Sequence, residues 1–271
     1  MSGADSVRPT VTPQALLLDF GGVVAETTRR ETWSREVAEI VHGQLEAAGC
    51  LELSVEDVLI DLLAGCAADK AWKDAMSRPA APEEMTHRRF WGEFVAADWP
   101  LQAREIVIAH ATWLCQLMGE RRSERRVRPG IPELLAAAEE RDIPVAIVSN
   151  ALAGVVHRDF IADHDLTHRF ALQVYSDEVG LRKPNPELIW MACRALGVAP
   201  GQTWYVGDNF DRDVVAGRRA GVGAAILMEA RSTYRVPYTV RETPDAVVAE
   251  PAELTAMLTS SLASTTTGGA S

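Results

Sequence analysis

Six short apolar runs punctuate the chain, and their pattern sets the first expectation. They are ALLLDF (15–20), PVAIVS (144–149), FALQVYS (170–176), TWYVGD (203–208), GAAILM (223–228) and DAVVAE (245–250). Their apolar positions are continuous rather than alternating, which suits strands buried on both faces of a parallel sheet. Helical patterns lie between several of them. IPELLAAAEERD (131–142) repeats its apolar residues at helical spacing with a proline near its start. NPELIWMACRALGV (185–198) opens on Asn-Pro and ends near Gly197. Strand and helix alternate from residue 144 onward. That predicts an α/β fold built on a doubly wound, Rossmann-like parallel sheet.

The stretch 28–126 breaks the alternation. It is rich in Glu, Arg, Ala, Leu and Trp and shows no strand pattern. A connection of about a hundred residues is far longer than a simple crossover. It predicts an inserted, all-helical cap domain, with the α/β core made from residues 14–27 and 127–256. Ligands of open α/β sheets sit at the C-terminal strand ends, so an insertion leaving just after LLLDFGGVV would roof that crevice. Residues 1–13 and 257–271 are polar and read as disordered tails.

Composition narrows the partners. A chain of 271 residues with 47% hydrophobic content supports one sizeable core. Its net charge of −11 argues against nucleic acid and anionic membranes, which would be repelled. Four cysteines without a CxxC pair read as reduced thiols, and no apolar leader or membrane-length run is present. A cytoplasmic protein, monomeric or homodimeric, is the expectation.

Polar clusters close several of the apolar runs. Asp19 ends the first, and Ser149 with Asn150 ends the second. Lys183 stands in GLRKPNPE, and Asp208, Asp211 and Asp213 stand in YVGDNFDRD. Singly, each is an ordinary cap, turn or solvated residue. A parallel sheet, however, sets strand ends side by side and brings them together. Phosphoryl transfer needs such a set: an anionic nucleophile, donors for the phosphoryl oxygens and a divalent cation. Mg²⁺ takes one or two carboxylates plus phosphate and water, which suits Asp19 and Asp208. Without a cation, two carboxylates facing a phosphate would repel it.

In order, these clusters resemble the four motifs of the haloacid dehalogenase-like hydrolase superfamily, from about residue 14 to 230. The insertion is similar to the helical C1 cap of its subfamily I. The resemblance implies that Asp19 attacks phosphorus and that Ser149 and the Asn150 backbone bind phosphate. It implies that Lys183 holds nucleophile and phosphate together. Asp208 and the backbone carbonyl of Gly21 would join Asp19 around Mg²⁺, and Asp213 would support water on the metal. Asp211 has no clear counterpart. The implied substrate is a small phosphorylated metabolite.

One departure stands out. Phosphatases of this superfamily usually carry an aspartate two residues after the nucleophile, as general acid and base, and here that residue is Gly21. General acid–base help is worth about 10²–10⁴ in rate. In one reading the chain is still a phosphatase, acting on a good leaving group such as a sugar's anomeric oxygen. A branch whose first motif reads Asp-x-Gly-Gly-Val, similar to DFGGV, includes sugar-phosphate enzymes. A replacement acid could come from Glu26, Asp211, Glu31 or His87. In a second reading the bond is C–halogen, or a phosphonate cleaved through a cap lysine, Lys70 or Lys73. In a third, the protein only binds phosphate. Arg29, Arg30, Trp33, His87 and Trp91 are the cap residues that could meet a leaving group, although Trp residues suit a cap core and Arg residues a solvated face. The basic run GERRSERRVRPG (119–130) reads as a solvated linker.

Overall fold

The computed structural model describes residue 9 and residues 11–266. Its main sheet contains β1 (Ala15–Leu18), β4 (Val145–Ser149), β5 (Leu172–Tyr175), β6 (Thr203–Gly207), β7 (Ala224–Met228) and β8 (Ala246–Val248). All pairings are parallel, in the order β5-β4-β1-β6-β7-β8. Central β1 is registered with Leu17 opposite both Ala146 and Tyr205. Successive strand side chains point to opposite faces, and both faces are covered. Leu16, Leu18, Ile147, Trp204 and Val206 pack with Leu134, Phe160 and Leu254. Leu17, Val148 and Tyr205 pack on the other side with Leu188, Ile189 and Ala216. This double burial is why the strands read as unbroken apolar runs.

The insertion has its own core. Helices α1 (Trp33–Ala47) and α2 (Val55–Met76) pack with Leu101–Ala109 and Ala111–Arg122 around Trp33, Leu62, Trp91 and Leu114. Ser54 starts α2 with a capping box, its hydroxyl accepting from the Asp57 backbone while the Asp57 carboxylate takes the Ser54 N–H.

Three sequence expectations need correction. The stem of the insertion is not helical: β2 (Ala25–Arg29) and β3 (Ser123–Val127) pair as an antiparallel ribbon. The basic run 119–130 thus contains a strand, with Arg126 paired to Glu26 across the ribbon at 2.6 Å. The ribbon is mostly solvent-facing, so it carries no hydrophobic alternation to read. The C-terminal stretch does not begin to fray at 257, because Pro251–Thr266 is one helix. Leu254 and Leu258, four residues apart on one helix face, are fully buried in the core. The remaining residues, 267–271, lie outside those described, as do 1–8 and 10. Of the N-terminal segment, Val11 accepts the Trp204 indole N–H at 2.8 Å and Pro13 is buried, which ties that part to the core.

The four cysteines are free thiols. Among the described residues, no helix is long and apolar enough to cross a membrane.

Candidate active site

β1, β4 and β6 end at the same edge of the sheet, and their last residues determine what meets there. Asp19 follows β1, Ser149 ends β4, and Asp208 follows β6. Lys183 enters from the loop after β5. Its ammonium is buried and donates to Asp213 (2.6 Å), Tyr205 (2.8 Å) and the Val148 carbonyl (3.1 Å), and it pairs with Asp19 at 2.8 Å. Asp213 is held in turn by the Tyr205 hydroxyl (2.8 Å) and the Asn209 N–H (2.9 Å). Carboxylate oxygens of Asp19, Asp208 and Asp213 all lie within 4.8 Å of one another. Asn150 locks the lysine loop to β4, its amide bonding the Lys183 carbonyl at 3.1 Å and accepting the Lys183 N–H at 2.8 Å.

The glycine turn after Asp19 is shaped by its neighbours. Gly22 has φ +76°, and a Cβ there would lie 2.5 Å from the Asp208 carboxylate. Only glycine fits without displacing that side chain. A Cβ on Gly21 meets nothing within 4 Å. Arg128, also buried, donates to the Gly22 carbonyl and to those of Glu229 (2.8 Å) and Ala249 (2.7 Å), so it fastens the turn to the ends of β7 and β8.

This geometry stands beside three comparisons. A family model for haloacid dehalogenase-like hydrolases matches residues 13–221. The chain belongs to that family. Phosphoserine phosphatase from Thermus thermophilus is 41% identical over 104 residues, 37% of this chain and 41% of the relative. Glyceraldehyde 3-phosphate phosphatase from Methanopyrus kandleri is 30% identical over 126 residues, 46% of this chain and 54% of the relative. The chain thus spans about half of these relatives or less. A solved 2-haloacid dehalogenase from Pseudomonas syringae superposes with a TM-score of 0.57 at 16% identity, covering 92% of this chain and 99% of that one. At that identity the likeness shows the fold alone.

Within this dehalogenase-like hydrolase the charges are unevenly matched. Burial raises Asp19 despite the pull of Lys183. Burial, then the Asp213 and Asp19 charges, push Asp208 up to about 8. Burial would also raise Asp213, but Lys183 and Arg212 outweigh it and hold its carboxyl below the usual range. Asp19, Asp208, Asp211 and Asp213 outnumber the two nearby cations, Lys183 and Arg212, so the cluster is short of positive charge. A hard divalent cation would supply it, and the all-oxygen donor set suits Mg²⁺. Asp19, Asp208 and the Gly21 carbonyl would hold the ion, and the bare Gly22 leaves Asp208 the room to do so.

A stability prediction follows from Asp208. Its folded value lies above the unfolded 3.8, so the metal-free fold loses stability as pH rises from about 4 to about 8. Asp208→Asn should therefore raise the thermal midpoint of the chelator-treated protein, by a margin that grows with pH across that window. The same variant should lose the stabilisation that Mg²⁺ gives the wild type. Thermal melts of both proteins over this pH range check it, and a margin that stays constant with pH contradicts it.

The crevice is a cavity of about 640 Å³. Asp19, Gly21, Ser149, Asn150 and Asp208 line its floor, Glu26, Thr27 and Thr28 of β2 one wall, and Glu229–Ser232 another. The cap residues expected to meet substrate lie elsewhere. Trp33 and Trp91 are buried in the insertion's core. Arg29 stacks over Trp33, and Arg30 is held by Glu36 at 2.7 Å. His87 donates to the Leu152 carbonyl at 2.6 Å. Of the four candidate replacement acids, Glu26 lines the cavity, and it is already paired with Arg126. Lys70 and Lys73 pair with Asp74 and Asp69 on α2. Neither lysine lines the cavity, so neither is placed for the Schiff-base chemistry considered above.

Sequence reasoning missed Tyr205, Arg128 and His157. Tyr205 was hidden as one more apolar-looking strand residue, and Arg128 within a basic run. His157, which lines the cavity and stacks on Phe20 at 4.0 Å, carried no sequence signal.

Proposed function

We propose that this chain is a Mg²⁺-dependent phosphatase that hydrolyses a small phosphorylated metabolite through an aspartyl-phosphate on Asp19. The observation that carries the reading is Lys183, held between Asp19 and Asp213 with Asp208 alongside. A lysine clamped by two carboxylates cannot swing away, so nucleophile and phosphate site are preorganised. One Asp19 oxygen attacks phosphorus, the P–O bond to the leaving group breaks, and its electron pair stays on the leaving oxygen. Ser149 and Asn150 donate to the phosphoryl oxygens while Lys183 offsets their charge. Water then attacks the phosphorus, releasing inorganic phosphate and the Asp19 carboxylate. Bound Mg²⁺ supplies positive charge that screens the carboxylates from the phosphoryl group and stabilises charge developing on it.

The cavity walls point to the leaving group. Thr27, Thr28, His157, Asn209, Arg212, Arg231 and Ser232 are polar, and Ala230 is the one apolar side chain among the lining residues. A hydroxylated leaving group such as a sugar suits these walls, and an anomeric sugar oxygen also needs little protonation, which accommodates Gly21. Both curated relatives above are named as phosphatases of small phosphorylated metabolites, which supports the substrate class. The C–halogen reading fits less well, because halide leaves without a cation and would not need Asp208 and Asp213 beside the nucleophile.

A panel of phosphorylated metabolites assayed with Mg²⁺ and with chelator tests the proposal. Metal-dependent phosphate release supports it. Chloride release from a 2-haloacid without metal, with every phosphate inert, refutes it.

The open space at Gly21 makes a sharper experiment possible. Gly21→Asp should fit without clash and restore general acid help. Turnover of simple alkyl phosphates should rise by about 10²-fold or more, and that of p-nitrophenyl phosphate far less. Equal changes on both would contradict the role assigned to this position.

A further inference from the structure

The segment between α2 and His87 leaves the insertion and lies across the core beside the catalytic lysine. Glu84 donates its backbone N–H to Gly180 (2.9 Å), and the Pro82 carbonyl accepts from Arg182 N–H (3.3 Å) and the Asn185 amide (3.4 Å). Arg219 donates to the carbonyls of Arg78 (3.0 Å) and Pro79 (2.6 Å). This strap carries one ionisable side chain into the core.

That residue is Glu84, whose side chain is 5% exposed. One oxygen takes the guanidinium of Arg182 at 2.8 Å, and the arginine side chain is 1% exposed. The other accepts from the Ser176 hydroxyl at 2.6 Å. Ser176 in turn accepts the N–H of Ala151 at 2.9 Å. The two branches reach the two anion-binding loops. Arg182 immediately precedes Lys183, and Ala151 immediately follows Asn150. The far face of Arg182 stacks on Trp72 of α2, 5.4 Å away, so the insertion grips it from both sides. None of these groups lines the cavity. They act on it only through Lys183 and Asn150.

We propose that Glu84 is a positioning residue by which the insertion sets the register of the lysine loop against the Ser149–Asn150 loop. This rests on the phosphatase reading, since it assigns those loops to phosphate. A buried carboxylate anchoring both loops fixes the separation between the Lys183 ammonium and the donors on Asn150. Misplacement of such groups by about 1 Å lowers rates by about 100-fold. It also follows that lifting the insertion from this part of the core as a rigid body breaks both the Glu84–Arg182 pair and the Arg182–Trp72 stack.

The test is Glu84→Gln in the full chain, which keeps the shape and removes the charge. Turnover should fall about 10- to 100-fold, and inorganic phosphate, titrated with Mg²⁺ as a competitive probe, should bind correspondingly more weakly. Leu114→Ala, which hollows the insertion's own core, is the control. It should lower the melting temperature and leave phosphate binding unchanged. If Glu84→Gln does not fold, Glu84→Gln/Arg182→Met removes both charges together and should fold with the same weakened phosphate binding. Wild-type turnover and phosphate affinity in either folded variant overturn the assignment. A wild-type protein that neither binds phosphate nor turns over a phosphate ester would instead sink the phosphatase reading itself.

Discussion

Asp19→Asn should give a folded protein whose turnover falls by at least about 10⁴-fold, the scale seen when a nucleophile is removed. Asparagine keeps an oxygen near Lys183, and Asp213 still pairs with the ammonium at 2.6 Å, so the local frame should survive. What is lost is the anionic oxygen that, in the proposed mechanism, forms the covalent bond to phosphorus. The check is steady-state turnover beside a circular dichroism melt. Residual activity within about 100-fold of wild type would mean that another group attacks phosphorus, and the assignment of Asp19 would fail. No simple loss of stability can imitate the expected result, because the melt reports that separately.

The second large effect is a contrast between neighbouring glycines. Gly22→Ala should lower turnover by about 100-fold or more and weaken the apparent affinity for Mg²⁺, whereas Gly21→Ala should leave both near wild type. The difference is steric. At Gly22 the backbone sits at φ +76° and a methyl would lie 2.5 Å from the Asp208 carboxylate, while at Gly21 nothing lies within 4 Å. A Cβ at positive φ is itself strained, and here relief of the clash moves Asp208 away from its neighbours. The Gly22 carbonyl is also held by Arg128, which restricts the turn's freedom to adapt. Titrating Mg²⁺ against activity for the two variants decides the matter, and indistinguishable variants would contradict the account.

The parts of the fold that were legible in sequence are those where burial leaves a periodic mark. β1, β4, β6 and β7 are buried on both faces, so their residues read as unbroken apolar runs. Asp19, Asn150 and Asp208 were conspicuous because each interrupts such a run at its end. The polar ribbon of β2 and β3 leaves no comparable mark, since solvent covers most of it. The C-terminal helix was hidden in a Ser- and Thr-rich stretch, where Leu254 and Leu258, with Met257 beside them, mark its buried face. Composition was a poor guide there because a few apolar residues at helical spacing dock the helix within an otherwise polar stretch.

The crevice was harder to read for a different reason. Its walls come from Thr27 and Thr28 on the ribbon and Arg231 and Ser232 on the loop after β7, polar residues unremarkable in sequence. The large residues that drew notice, Trp33 and Trp91, are conspicuous because they fill the insertion's core. Arg182 and Glu84 are nearly a hundred residues apart, and only the folded chain shows that they meet. Pairings of that kind depend on topology, and a motif records only one end of them.

The central claim is that Asp19 becomes phosphorylated. Its most direct measurement is chemical trapping: acid quench during turnover with Mg²⁺, borohydride reduction of the acyl phosphate, and peptide mass mapping. The account predicts that Asp19, and no other carboxylate, is converted to homoserine, and only when both Mg²⁺ and a phosphate ester are present. Steady turnover with Asp19 recovered unmodified, or with another residue reduced in its place, would contradict it.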